Sequence, residues 1–203
     1  MKRSMKLEVL GLSLLLGSIG TAHASMAALV ETCNACHGSQ GISTHNDIPT
    51  IAGLAEANLS EQLRSYLDGR PAKTVNHVTG DTSKQGNMTD IVKGLSDDQI
   101  DELAAHYAEL PYQPMKQPFD AALAKAGQKL HEESGCKKCH SEGGSVAEDE
   151  ASILAGQPKG YLLTALQEFK AGKRSNDEKM NKPLIAMSDA DLKALAEYYA
   201  SQQ

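Results

Sequence analysis

Cys33-Asn34-Ala35-Cys36-His37 and Cys136-Lys137-Lys138-Cys139-His140 are two complete Cys-x-x-Cys-His motifs, and between them they hold all four cysteines of the chain. Two thiols one helical turn apart, followed at once by an imidazole, are what c-type haem attachment requires. Each thiol forms a thioether with a haem vinyl group, and the histidine faces the iron. Cys33, Cys36, Cys136 and Cys139 are therefore the expected attachment points for two covalently bound haem c groups, with His37 and His140 as axial iron ligands. A bare Cys-x-x-Cys is also compatible with a redox dithiol or half a zinc site, but neither calls for the adjoining histidine in both copies.

The motifs lie in an internal repeat. Positions 33–70 align with 136–173 at a constant offset of 103, so that Gly53 falls on Gly156, and Leu59, Leu63, Tyr66 and Gly69 fall on Leu162, Leu166, Phe169 and Gly172. The 3, 4, 7 spacing describes the apolar face of a helix closed by a C-terminal glycine. The offset then falls to 92, which gives the first copy eleven extra residues between Arg70 and Met88. Beyond them Leu95-Ser96-Asp97 matches Met187-Ser188-Asp189, and each copy ends in a helix. Ser96 with Gln99 reads as a capping box, and Ser188 as an N-cap with Asp189 and Asp191 in the first turn. Ile100, Leu103, Ala104 and Tyr107 recur as Leu192, Leu195, Ala196 and Tyr199, an inward stripe. Sustained alternation of apolar and polar residues is absent, so the expected class is all-α. The expected organisation is a domain over 25–110, a Pro-rich connector over 111–119 and a second domain over 120–203. Each half is small and has few aromatics, so its core depends on the apolar volume of a haem.

The second axial ligand decides between electron transfer and small-molecule chemistry, because iron held on both faces has no open position. Met88 and Met180 are the methionines that coincide under the repeat, each eight residues before the serine that caps the last helix, and they are the expected sixth ligands. Met187 is the rival in the second half, but it aligns with Leu95 and reads as core. His45, His77, His106 and His131 have no histidine counterpart in the other copy and read as surface residues. His/Met ligation gives a saturated iron of relatively high potential. No catalytic residues are expected, since no P-loop or paired-carboxylate motif accompanies the haem motifs.

Lys2, Arg3 and Lys6, the apolar run from Leu7 to Gly20, and Ala22-His23-Ala24 read as a signal peptide over residues 1–24, removed on export to the periplasm. The alternative is a retained membrane anchor, although the run is shorter than the ~20 residues a span needs. No later stretch is apolar enough to span. Without the leader the chain has 17 Lys and Arg against 25 Asp and Glu, a formal charge of −8. That balance argues against nucleic acid or an anionic membrane surface as partner. The charge is uneven, at −7 for residues 25–110 and −1 for residues 111–203.

Across nearly the whole exported chain the pattern resembles dihaem class I cytochromes c. The second half is similar in particular to the cytochrome subunit of flavocytochrome c sulfide dehydrogenase, through Tyr112-Gln113-Pro114, Lys116-Gln117, Lys129-Leu130-His131, Glu142-Gly143-Gly144, Ile153-Leu154-Ala155-Gly156-Gln157 and Tyr198-Tyr199-Ala200-Ser201-Gln202-Gln203. The resemblance implies two tandem class I cytochrome c domains related by an approximate two-fold, with ligand pairs His37/Met88 and His140/Met180. It also implies an FAD-containing sulfide dehydrogenase subunit as partner and a mobile electron acceptor. Gly172-Lys173-Arg174-Ser175-Asn176-Asp177 is similar instead to free dihaem cytochromes that feed terminal oxidases. The expected function is therefore electron transfer, first as the electron-accepting subunit of a sulfide-oxidising flavocytochrome c. The alternative is a free dihaem shuttle, and the enzymatic reading is a dihaem peroxidase.

Overall fold

The computed structural model describes residues 25–149, 151–174 and 178–203. The expected leader lies outside them. Ser25 caps the first helix, α1 (Met26–His37), by accepting a hydrogen bond from the Ala28 amide, and the first Cys-x-x-Cys-His motif forms the helix's C-terminal end. Then come α2 (Glu56–Ser65), α3 (Met88–Lys93) and α4 (Asp97–Ala108), with the capping box of Ser96 and Gln99 formed. The second half repeats the plan with α5 (Ala121–Glu133), α6 (Lys159–Lys170), α7 (Glu178–Ile185) and α8 (Asp189–Ala200). Ser188 opens α8 with a full capping box in which Asp191 takes the place of Gln99. The fold is thus two tandem, mainly helical domains, each of which packs its first helix against its last.

The eleven-residue insertion holds the one departure from all-α among the described residues. Val75–Asn76 (β1) pairs antiparallel with Gln85–Gly86 (β2), with Val75 opposite Gly86 and Asn76 opposite Gln85. Two residues per strand give no periodicity to read, so the ribbon left no pattern in the sequence.

Core packing follows the two stripes. Leu192 and Leu195 of α8 are fully enclosed by Leu162, Leu166 and Phe169 of α6. Leu103 and Tyr107 of α4 pack with Leu54 and Leu59. Each fully buried leucine contributes about 2 kcal/mol of transfer free energy. Gly127 lets α5 and α8 touch, because a Cβ there would overlap the Ala194 carbonyl and the Tyr198 side chain.

The halves meet along equivalent segments. Thr50 and Ile153 correspond under the repeat, as do Leu54 and Gln157. Thr50 and Gln157 form a buried two-point bond, the Thr50 amide donating to Gln157 Oε1 (3.0 Å) and Gln157 Nε2 donating to the Thr50 carbonyl (2.9 Å). Their reciprocal partners Ile153 and Leu54 share one apolar cluster. Reciprocal pairing of this kind is the mark of an approximate two-fold relation, polar in one copy and apolar in the other. Asn46 adds two bonds across the seam, Oδ1 accepting from the Gly160 amide (3.1 Å) and its carbonyl from the Tyr161 amide (3.0 Å).

Gln157→Ala would leave the Thr50 backbone groups unpaired in a buried seam. It should destabilise the protein by about 2–4 kcal/mol, read as a lower denaturation midpoint, while Thr50→Ser, which keeps those groups, should cost far less.

Candidate haem-attachment sites

Helical spacing brings Cys33 and Cys36 to one turn at the end of α1, where Gly38 at φ 84° breaks the helix and turns the chain away. His37 is buried, and its Nδ1 lies 2.8 Å from the Pro49 carbonyl. A carbonyl accepts only from an N–H, so Nδ1 carries the proton and Nε2 keeps its lone pair. Burial lowers the His37 pKa, against the opposing pull of Pro49, and the neutral ring is the form that binds metal.

The second motif reaches the same arrangement differently. α5 stops at Glu133, Gly135 adopts a left-handed conformation (φ 82°), and Cys136–Lys138 form a separate 3₁₀ turn. His140 is buried, and neither of its ring nitrogens has a hydrogen-bond partner among the described residues. Burial takes its pKa down to about 4, with the Ser152 carbonyl, the counterpart of Pro49, pulling the other way. A buried, neutral, unpartnered imidazole next to two thiols fits an iron ligand.

The thiols themselves speak against the alternative chemistries. Burial raises the Cys33 pKa to about 11, partly offset by the Tyr107 hydroxyl, and raises Cys36 and Cys136 as well. Redox dithiols work through lowered pKa values. No group of three or more Cys, His, Asp or Glu side chains converges as a metal site among the described residues. Two covalent haems, at Cys33/Cys36 and Cys136/Cys139, fit the residues present.

The tyrosines at the ends of the two stripes do more than fill space. The Tyr107 hydroxyl donates to Asn34 Oδ1 (2.9 Å), inside the first motif, and lies against Cys33. Tyr199 lies against Cys136 and hydrogen-bonds His131 Nδ1 (3.0 Å). The surface reading of His131 is corrected here, because the residue is only 3% exposed, wedged between Tyr198 and Tyr199. A histidine on the stripe of α5 that faces α8 is core regardless of its polarity, and the Ala124, Gly127, His131 spacing was the available signal.

Met88 is the first residue of α3 and Met180 lies in α7, the short helices that directly precede α4 and α8. Both are half-buried, and Met180 packs against the second core. Met187 is buried inside that core. The repeat did not disclose an arginine pair at the seam. Arg70 stacks on the Tyr66 ring and Arg174 on the Phe169 ring, both at 4.4 Å, on aromatic positions that are equivalent under the repeat. Both guanidinium groups donate to Gln62 Oε1, at 2.6 and 2.8 Å, and both Nε atoms are buried without a partner among the described residues.

The cytochrome c family model matches residues 24–110 and 124–203. The chain is 32% identical to cytochrome c4 of Stutzerimonas stutzeri over 96% of its own length and 98% of the relative's. It is 31% identical to a thiosulfate dehydrogenase electron acceptor of Thiomonas intermedia, over 96% and 91% of the two chains. The crystal structure of reduced recombinant cytochrome c4 from Pseudomonas stutzeri superposes with a TM-score of 0.69 at 28% identity, covering 86% of this chain and 95% of that one. These relatives lend nothing specific to a flavocytochrome c sulfide dehydrogenase. Three of the residues that suggested it bond within the chain. Tyr112 bonds the Ala155 carbonyl (2.5 Å), Gln117 Nε2 donates to the Gln157 carbonyl (2.9 Å), and Gln203 Nε2 donates to the Gln117 carbonyl (2.7 Å).

His131 supplies a test of this packing. Its folded-state pKa is lowered by burial, so the unfolded chain takes up a proton more readily, and this contribution to stability is lost as pH falls below about 6.5. His131→Phe should flatten that loss in denaturant titrations on either side of this pH, at a cost of about 1 kcal/mol for the Tyr199 bond at higher pH.

Proposed function

The chain belongs to the cytochrome c family as a dihaem class I electron carrier related to cytochrome c4, and from that premise we propose that it is a periplasmic carrier taking electrons from a dehydrogenase of reduced sulfur compounds. The observation that carries the proposal is the pair of attachment turns, each ending in a buried neutral histidine, on a chain matched end to end by an electron acceptor of thiosulfate dehydrogenase. Among the described residues no helix is long and apolar enough to cross a membrane. Haem, once attached, supplies a one-electron ferric/ferrous couple.

The protein's own residues hold and tune that couple. His37 and His140 would each hold one iron, with the Pro49 carbonyl fixing the tautomer of the first. Met88 and Met180 would supply the second ligand to each iron, and coordination of that kind would leave neither iron open to substrate, which disfavours the peroxidase reading. Met187, as a core residue, is not a ligand. The half-buried Arg70 and the buried Arg174, brought together on Gln62 and Tyr161 with no carboxylate partner among the described residues, would receive the haem carboxylates at the seam. Because Tyr112, Gln117 and Gln203 bond within the chain, their presence gives no support to a permanent flavoprotein subunit, and the free carrier is the reading that the thiosulfate dehydrogenase electron acceptor favours.

The ligand assignment predicts that Met180→Ala removes one of two sulfur-to-iron charge-transfer bands from the oxidised spectrum and lowers one potential, whereas Met187→Leu changes neither. A silent Met180→Ala would overturn it.

The donor is tested with the native protein isolated alongside its neighbours at moderate salt. A flavin-free monomer reduced by thiosulfate through a separate dehydrogenase is the expected result. A stable flavin-containing heterodimer whose haems are reduced by sulfide would replace this reading with the flavocytochrome one.

A further inference from the structure

Carbonyls in the last turn of a helix lack intrahelical partners, and at the end of α1 Gly38 turns the chain away before a further amide can reach the Ala35 carbonyl. The insertion satisfies it. The Val78 and Thr79 amides donate to the Ala35 carbonyl (2.6 and 3.1 Å), and the Thr79 hydroxyl donates to the Asn34 carbonyl (3.0 Å), which also accepts from the Gly38 amide (3.0 Å). Asn34 and Ala35 are the two residues between the cysteines, so the insertion is tied to the attachment turn itself. From that tie hydrogen bonds run on to Met88. The His77 amide donates to the Lys84 carbonyl (3.0 Å), β1 pairs with β2, Asp81 Oδ1 at the tip accepts from the Ser83 amide (3.1 Å), and Asn87 caps α3 by accepting from the Asp90 amide (3.0 Å). Lys73 holds the other end of the insertion, its Nζ donating to Thr164 Oγ1 of α6 (3.1 Å).

The second copy lacks the residues for such a tie. Six residues lie between Lys173 and Met180, where seventeen lie between Arg70 and Met88. Its attachment turn bonds within itself, the Cys139 and His140 amides both donating to the Cys136 carbonyl (3.2 and 2.9 Å), and Lys137 and Lys138 between the cysteines are exposed. We infer that the insertion is a tether that holds Met88 in place for its iron, with Thr79 as the positioning residue, so that the first site keeps its methionine under conditions in which the second exchanges Met180 for an outside nitrogen ligand. The inference rests on the ligand assignment above. A ligand carried on a chain competes with free ligands at an effective concentration set by the length and stiffness of that chain. Thr79 and Met88 are separated by eight residues, most of them bound into the ribbon and the α3 cap, and Thr79 is fastened to the turn that carries His37. Both ligands of the first iron are thus tied to one turn.

The test is a titration of the oxidised holoprotein with imidazole, a nitrogen donor that suits iron, followed by the loss of the two sulfur-to-iron charge-transfer bands. Two steps are expected, and the one at higher imidazole concentration belongs to Met88. Met88→Ala assigns them, because the single band it retains should disappear at the lower midpoint. Thr79→Val removes the hydroxyl bond without orphaning the Asn34 carbonyl, which keeps the Gly38 amide. It should lower the midpoint of the higher step about fivefold, the loss of one hydrogen bond, and leave the lower step in place. Thr79→Ser, which keeps the hydroxyl, should restore the wild-type midpoint.

Coincident steps in the wild type, a Met88 step at the lower concentration, or a Thr79→Val change that leaves the higher step unmoved or shifts both alike would overturn the inference while leaving the ligand assignment intact. Retention of both bands in Met88→Ala would instead count against the ligand assignment itself. The order of the two steps in the wild-type chain decides the matter even if Thr79→Val does not fold.

Discussion

Everything in this fold answers to one geometric demand, that two thiols and one imidazole be presented to a planar group from a single turn. The demand is met twice at the crossing of a first and a last helix. In the first half the turn is the end of α1, held by the Tyr107 hydroxyl on Asn34. In the second it is a detached 3₁₀ turn, anchored by Tyr199 lying against Cys136. The last helix of each half is therefore a support for the attachment turn as well as a wall of the core. Its capping box and unbroken apolar stripe fix its start and its rotation, and thereby the position of the tyrosine.

Burial does the chemical work at the histidines. Removing imidazole from water disfavours its cation, and the neutral ring is what can ligate iron. The first half adds a hydrogen bond from Nδ1 to the Pro49 carbonyl, whereas the second leaves both nitrogens of His140 unpartnered. The two sites thus differ in how firmly the proximal ring is oriented. Outer partners of a metal-bound histidine also set its basicity, so a difference of this kind would make the two proposed iron sites unequal despite their shared motif.

The seam between the halves extends the same logic. A repeat that meets itself across an approximate two-fold places corresponding residues on both sides, and here one reciprocal pair is a polar lock and the other an apolar contact. Along the same seam Arg70 and Arg174, stacked on equivalent rings, share the Gln62 acceptor. Buried cations that approach one another are costly unless anions compensate them. In the proposed reading the haem carboxylates would supply those anions, and the cofactors would then contribute to the joint between the domains.

Much of this was legible in the chain itself, because it rests on local rules. The Cys-x-x-Cys-His spacing names its cofactor through covalent chemistry, the 103-residue offset discloses the duplication, and serine caps with periodic apolar residues place α4 and α8. What the sequence could not carry depends on which distant segments touch. The ribbon of the insertion is two residues per strand and is held by the turn it covers rather than by its own pattern. His131 looked like a surface histidine until α8 was laid against α5. The connector and tail residues that suggested a flavoprotein partner turned out to face one another, since a glutamine's amide does not disclose in sequence whether it bonds its own chain or another. The arginine pair arises only when the two copies are folded together, because tertiary contact, not local propensity, decides which charges are brought side by side.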